Sequence, residues 1–173
     1  VYLPSGESGG CSNDVYEAIM ADVMTRYKTS GVRTVAFGDL FLEDLRAWRE
    51  ANLAKVGMRG VFPIWKRDTK IMAREVIQLG YRAYISCAEA TIGPRFAGRL
   101  YDWEFLRELP LGVDPCGENG EFHSFVFDGP IFKRPVRVRV GEIVTRDGRF
   151  YADLLLETSH PLGRCAAGSI PPR

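Results

Sequence analysis

The chain has 173 residues, of which 46% are apolar and 26% charged, and its formal net charge is +1. This length suits one domain, or one domain with a small appendage, and the apolar fraction is sufficient for a core. So small a charge argues against recruitment of DNA or an anionic membrane by bulk charge, although a local RNA contact stays open. No apolar run approaches the roughly 20 residues that a membrane helix needs.

The first 110 residues alternate between strand and helix patterns. Apolar side chains recur at every fourth position from Val15 to Tyr27, which indicates a helix, and short runs such as residues 34–39 (TVAFGD) are typical of buried parallel strands. This rhythm predicts an α/β fold with a parallel sheet flanked by helices. The predicted strands are residues 1–4, 34–39, 60–65 and 81–88, the predicted helices are residues 15–31, 40–57, 68–80 and 102–109, and SGESGG at residues 5–10 predicts a loop.

After residue 112 the pattern changes to alternating runs separated by Asp128–Gly129 and Asp147–Gly148. Asp-Gly between such runs is a hairpin signal. We therefore expect an α/β domain over residues 1–112, a small, mostly antiparallel β domain over residues 113–158, and a poorly ordered tail over residues 159–173.

The four cysteines, Cys11, Cys87, Cys116 and Cys165, are widely spaced and form no CxxC pair. A zinc ribbon or a disulfide framework is therefore disfavoured. Scattered free thiols suit a reducing compartment, and no basic leader followed by an apolar stretch opens the chain, so we expect a cytoplasmic location.

Gly38 and Asp39 fall at the carboxyl end of a predicted strand, where open parallel sheets bind ligands. A carboxylate there can hold Mg²⁺ or a ribose hydroxyl, whereas the alternative is that Asp39 only caps the next helix. Glu43 and Arg46 follow in that helix. They are either part of a solvated face or, beside Gly38 and Asp39, contacts to a substrate.

The stretch GVDPCGENGEFHSFVFDGP, residues 112–130, is the sharper signal. Two glycines bracket Glu118 and Asn119, which predicts a tight, exposed turn. If the following residues are extended, Glu121 shares a face with His123, and a carboxylate beside a histidine can set its tautomer. Such carboxylates can bind a cation or orient ammonia or water. The alternative is an acidic hairpin turn with a surface histidine.

This stretch closely resembles the signature of the diphthine–ammonia ligase family, a branch of the N-type ATP pyrophosphatases, with Ser124 where the family usually has Thr. Residues 36–50 (AFGDLFLEDLRAWRE), 62–65 (FPIW) and 11–20 (CSNDVYEAIM) resemble further blocks, so the resemblance covers residues 11–157. It implies a Rossmann-like adenine-nucleotide alpha-hydrolase (HUP-type) fold with a smaller C-terminal domain.

The resemblance also implies a reaction. ATP and Mg²⁺ adenylylate a substrate carboxylate with release of pyrophosphate, and ammonia then displaces AMP to form an amide. The acceptor in that pathway is diphthine on elongation factor 2. Assembly of this chain as a homo-oligomer is compatible with the resemblance. This match implies that Gly38 and Asp39 bind the nucleotide and that Asp39 also binds the metal. It implies a catalytic role for Glu118, Glu121 and His123. The residues implied to bind substrate are Asn119, Glu43 and Arg46.

One block departs from the family. Its members open with a phosphate-binding loop similar to SGGKDS, and here only Ser8–Gly9–Gly10, without the lysine, resembles it. We expect that the phosphate-loop segment lies outside this chain. The alternatives are an adenine-nucleotide hydrolase or ATP-binding protein without ligase activity, and a non-catalytic protein-binding module.

Overall fold

The computed structural model describes residues 11–157. The predicted strand at residues 1–4, the loop at residues 5–10 and the tail at residues 159–173 therefore lie outside the described part. No helix within the described part is long and apolar enough to cross a membrane. In chain order the elements are α1 (Asn13–Thr29), β1 (Thr34–Ala36), α2 (Glu43–Lys55), β2 (Arg59–Val61), α3 (Thr69–Gln78), β3 (Arg82–Glu89), a 3₁₀ turn (Pro94–Phe96), α4 (Trp103–Glu108), β4 (Phe122–Asp128), β5 (Val138–Arg146) and β6 (Arg149–Leu156).

Three helices begin at a residue whose side chain accepts a hydrogen bond from the first turn. Ser12 caps α1, Asp68 caps α3 through the amide of Ile71 at 2.9 Å, and Asp102 caps α4 through the amide of Phe105 at 2.8 Å. These oxygens satisfy amides that have no partner within the helix. Asp68 thus opens the helix predicted over residues 68–80.

The strands form two sheets, which gives a mixed α/β fold. β1 and β2 are parallel neighbours, and the other sheet is antiparallel with the order β4-β3-β6-β5. The α/β class is therefore confirmed, but within residues 11–157 the parallel sheet has two strands, and a full Rossmann-like sheet is not shown.

The prediction that residues 81–88 extend the parallel sheet is wrong. β3 lies inside the antiparallel sheet and pairs with β4 on one side and β6 on the other. Ala83, Ile85 and Cys87 are each at most 5% exposed, because a central strand is covered whichever way its neighbours run. A continuous apolar run therefore indicates burial and not strand direction. Where the boundary between the two predicted domains lies stays a prediction.

The hairpin predicted at Asp147–Gly148 is confirmed. It joins β5 to β6, and its two residues have φ of 49° and 72°, the left-handed values of a tight two-residue turn. The hairpin predicted at Asp128–Gly129 is wrong, because β4 and β5 are the two opposite edges of the sheet. Gly129 lacks a left-handed φ, and a Cβ there would clash with the ring of Tyr81.

The core of the antiparallel sheet is aromatic. Phe105 of α4 packs edge-on against Phe96 at 5.7 Å and against Phe122 at 5.2 Å between ring centroids. Ile85 and Ala88 of β3 complete this cluster, and both are fully buried. Phe122 directly follows the segment of residues 114–121, so the core fixes one end of that segment.

Candidate functional site

The site begins where β1 and β2 end. Because parallel strands finish at the same edge, the loops that follow them meet there. The amide of Phe37 donates to the carbonyl of Val61 at 2.9 Å, and the amide of Lys66 donates to the carbonyl of Leu40 at 2.6 Å. Gly38 and Asp39 therefore lie in a loop that is tied to the loop after β2.

The segment of residues 114–121, here called the acidic loop, reaches this same edge. The backbone amide of Leu40 donates to Oε1 of Glu118 at 2.6 Å, across 78 positions of sequence. The two stretches in which the sequence analysis found candidate residues are thus in direct contact. Carboxylate acceptors form short, strong bonds of this kind with backbone amides.

Glu121 organises the acidic loop from within. Its Oε1 accepts from the amide of Asp114 at 3.0 Å and from the side-chain amide of Asn119 at 3.0 Å, and its Oε2 accepts from the amide of Asn119 at 3.1 Å. Partial burial raises the pKa of the Glu121 carboxyl, but these hydrogen bonds outweigh it and hold that pKa below its ordinary value. The carboxylate is therefore ionised and engaged, and its catalytic role stays a prediction.

Asp114 and Gly117 complete the turn. The buried Asp114 carboxylate accepts from the amide of Glu118 at 2.9 Å. Gly117 has φ of 68°, and a Cβ there would lie 2.8 Å from the carbonyl oxygen of Phe122, so the position requires glycine. The predicted tight turn around Glu118 and Asn119 is confirmed.

Two side chains anchor the acidic loop to the rest of the fold. The hydroxyl of Tyr101 donates to the carbonyl of Pro115 at 2.7 Å, and the thiol of Cys116 donates to the carbonyl of Thr69 at 3.3 Å. Burial, followed by the charges of Asp114 and Glu118, raises the pKa of Cys116 to about 12, so the thiol keeps its proton. Sequence analysis missed the anchoring role of Tyr101 because nothing local in its sequence signals a partner 14 positions away.

Asp39 forms an ion pair with Arg49 of α2. Its Oδ2 lies 2.8 Å from Nε of Arg49, too poorly aligned for a hydrogen bond, and the two side chains are 12% and 25% exposed. The guanidinium also lies over the ring of Phe37, 4.6 Å from its centroid. The alternative that Asp39 caps the helix is wrong, because α2 begins after Leu42 without a side-chain cap.

The described residues do not fit a protein-built magnesium site. Arg49 neutralises the Asp39 carboxylate, and residues 11–157 contain no group of three or more His, Cys, Asp or Glu side chains placed to hold an ion. Mg²⁺ is usually held by one or two carboxylates together with phosphate oxygens and water.

Glu43 and Arg46 lie at this edge with other partners. Glu43 pairs with Lys66 at 2.7 Å, both side chains largely exposed, and Lys66 lowers the pKa of the Glu43 carboxyl. Arg46 pairs with Glu50 at 3.1 Å, and its guanidinium lies 4.6 and 4.8 Å from the ring centroids of Phe62 and Trp65. Each of these two cations is therefore paired with a carboxylate, and that of Arg46 also lies over two aromatic rings.

His123 lies apart from these groups, on the exposed side of β4. Its Nε2 is 3.4 Å from the guanidinium of Arg149, which itself pairs with Glu89 at 2.7 Å. Among residues 11–157 the partner of the imidazole is thus an arginine, and the Glu121 carboxylate is used within the acidic loop. Among residues 11–157 no hydrogen bond joins Glu121 to His123, and the shared face of these two side chains stays a prediction.

The family model of the diphthamide synthase C-terminal domain matches residues 68–154. The diphthine–ammonia ligases of Bos taurus and Homo sapiens are each 28% identical to the chain over 146 residues, covering 80% of this chain and 53% of theirs. That of Mus musculus is 30% identical with the same coverage. The chain therefore spans about half the length of these relatives.

Proposed function

The chain belongs to the diphthamide synthase family, and from that premise we propose that it acts as an ATP-dependent amide-forming ligase in the cytoplasm. In this proposal ATP adenylylates a carboxylate with release of pyrophosphate, and ammonia then displaces AMP to give the amide. In this proposal the acceptor is the carboxylate of diphthine on elongation factor 2, as the sequence resemblance implies.

One contact carries the proposal, the 2.6 Å hydrogen bond from the amide of Leu40 to Glu118. It supports an arrangement in which the acidic loop faces the edge where parallel α/β sheets bind their ligands. An acyl adenylate formed at that edge would then lie within reach of a carboxylate from the loop.

Glu118 is the carboxylate that we propose for the ammonia step. One of its oxygens accepts from Leu40, and no residue among 11–157 donates a hydrogen bond to the other. That second oxygen can accept a proton from ammonium and so supply the neutral nucleophile. Glu121 is a positioning residue in this scheme, because its hydrogen bonds with Asp114 and Asn119 fix the turn that carries Glu118. His123 is proposed for the acceptor side.

The nucleotide side of the proposal rests on the surroundings of Asp39. A mostly apolar cavity of 270 Å³ lies between α1 and α2 and is bounded by Phe37, Trp48 and Arg49. This volume is just below the roughly 300–1,000 Å³ of typical ligand pockets, and aromatic walls suit a planar base. The cations that line this cavity and can meet phosphate oxygens are Arg49, paired with Asp39, and Lys55, paired with Glu17. No step is assigned to a metal, since Arg49 neutralises Asp39, the carboxylate predicted to hold it.

The test measures AMP and pyrophosphate release from ATP, with and without ammonium, in the presence of diphthine-containing elongation factor 2. Together with the phosphate-loop segment that the sequence analysis expects outside it, the chain is expected to release AMP only when ammonium and acceptor are both present. Glu118→Gln should lower that rate by about 10²–10⁴, the usual range for a lost proton acceptor. Glu142→Gln is the matched control, because Glu142 is exposed on β5 and makes no hydrogen bond with residues 11–157 through its side chain.

Three results would count against the proposal in different ways. AMP release that ignores ammonium would indicate a nucleotide hydrolase. An absence of ATP turnover would show that this chain does not catalyse the proposed reaction. Full activity in Glu118→Gln would leave the reaction in place and remove Glu118 from it.

A further inference from the structure

The edge strand β5 and the loop that precedes it carry a concentration of positive charge. Within residues 133–146, five of the chain's 23 Lys and Arg residues accompany a single acid, Glu142. All five cations are exposed, and none forms an ion pair with any residue of the described part of the chain. This group, here called the basic edge, consists of Lys133, Arg134, Arg137, Arg139 and Arg146.

β5 is an edge strand with one open side. It pairs with β6, and the order β4-β3-β6-β5 leaves no strand of residues 11–157 on its other side. An open edge presents backbone amides and carbonyls in the spacing that another extended chain can match. Arg137, directly before β5, and Arg139 alternate with the half-buried Val138 and Val140.

Charge on an edge strand often serves only to prevent aggregation. The basic edge differs because exposed apolar side chains accompany it. Ile131 is 78% exposed, Leu156 71%, Ile143 41% and Leu155 40%. Arginine mixed with exposed aliphatic side chains is the composition of a protein-binding surface and not of a purely solubilising one.

We propose that the basic edge binds an extended acidic segment of a partner protein, which adds to β5 as a further strand. This inference depends on the proposed function in one respect, namely that the acceptor carboxylate is carried by a protein. Single-stranded RNA is the less suitable occupant, because residues 133–149 contain no aromatic side chain on which bases can stack.

The test uses the whole 173-residue chain without ATP, so a failed ligase reaction leaves its readout intact. The probe is a fluorescein-labelled peptide of alternating Glu and Val with nine residues, the length of β5. Fluorescence anisotropy is expected to show saturable binding at about 50 mM salt that weakens as salt rises. The matching Lys–Val peptide should not bind, and hydrogen exchange of the β5 amides should slow when the Glu–Val peptide is bound.

The double variant Arg137→Glu/Arg139→Glu should weaken binding of the Glu–Val peptide by about tenfold or more. The control is Arg74→Glu/Arg107→Glu, which makes the same change of charge at two exposed arginines of α3 and α4 and should stay within about twofold. Circular dichroism checks that both variants fold, and the peptide-induced protection of β5 tests the proposal in the unmodified chain.

Four results would overturn the inference. They are no binding at low salt, equal weakening by the control variant, unchanged exchange of the β5 amides in the complex, and tighter binding of single-stranded oligouridylate than of the Glu–Val peptide. The last would reassign the basic edge to nucleic acid.

Discussion

Replacing Glu121 by Gln tests whether this carboxylate holds the acidic loop together. Gln keeps one oxygen for the amide of Asp114 and the side chain of Asn119, each now at 3.0 Å. Its new NH₂ group, however, would face the backbone amide of Asn119, which now donates to Oε2 at 3.1 Å. The Gln NH₂ group and the Asn119 amide would then face each other without an acceptor. The hydrogen bonds that remain would go to a neutral amide oxygen and no longer to a charged carboxylate.

The expected loss follows from these contacts. A hydrogen bond to a charged group contributes roughly 1.5–3 kcal/mol. Because Glu121 is half-buried and Asn119 is exposed, water replaces part of the hydrogen bonding that the variant loses. We therefore expect Glu121→Gln to lower the free energy of unfolding by about 1–2 kcal/mol. The exposed control Glu142→Gln should change it by less than about 0.5 kcal/mol.

The same variant has a pH signature. The pKa of Glu121 is lowered from 4.5 by folding, so its carboxylate stabilises the folded state fully above pH 4.5. That contribution is lost as the pH falls from 4.5 through the folded pKa. The difference in unfolding free energy between the unmodified chain and Glu121→Gln should thus be constant near neutrality and shrink below pH 4.5.

Urea denaturation followed by tryptophan fluorescence at several pH values measures both effects. A Glu121→Gln protein as stable as the unmodified chain at about pH 7 would refute the assignment of Glu121 as the organiser of the acidic loop. A stability difference that does not change between about pH 7 and about pH 3 would show that charge is not its source.

Three further predictions concern the acidic loop and the core. Gly117→Ala places a Cβ 2.8 Å from the carbonyl oxygen of Phe122 at a left-handed φ, so urea denaturation should show a loss of about 1–3 kcal/mol, and equal stability would contradict the requirement for glycine in this turn. Phe105→Ala empties the centre of the aromatic core and should cost about 3–5 kcal/mol in the same assay; a loss below about 1 kcal/mol would mean that the core collapses around it. Cys116, with a pKa of about 12, should resist iodoacetamide at about pH 8 in the folded chain and react once the chain is unfolded, as mass spectrometry of the labelled peptides would show. Rapid labelling of the folded chain would contradict this raised pKa.

The candidate site was predictable in part. Glycines around Glu118 and Asn119 indicated a tight turn, and the position of Gly38 and Asp39 after a short apolar run indicated a strand end, because both signals are local. The partners of these residues were not predictable. The pair of Asp39 with Arg49 and the bond from Leu40 to Glu118 depend on how separate elements pack.

For the fold as a whole, the sequence by itself determined what the chain does over a few neighbouring residues. Caps at Ser12, Asp68 and Asp102 start helices, and Asp147–Gly148 closes a hairpin, because each signal and its effect lie within one turn of chain. Only the tertiary structure decided that β3 joins the antiparallel sheet and that Asp128–Gly129 does not close a hairpin. Strand partners are selected by the burial of side chains far apart in sequence, and an apolar run is equally suited to either direction of pairing.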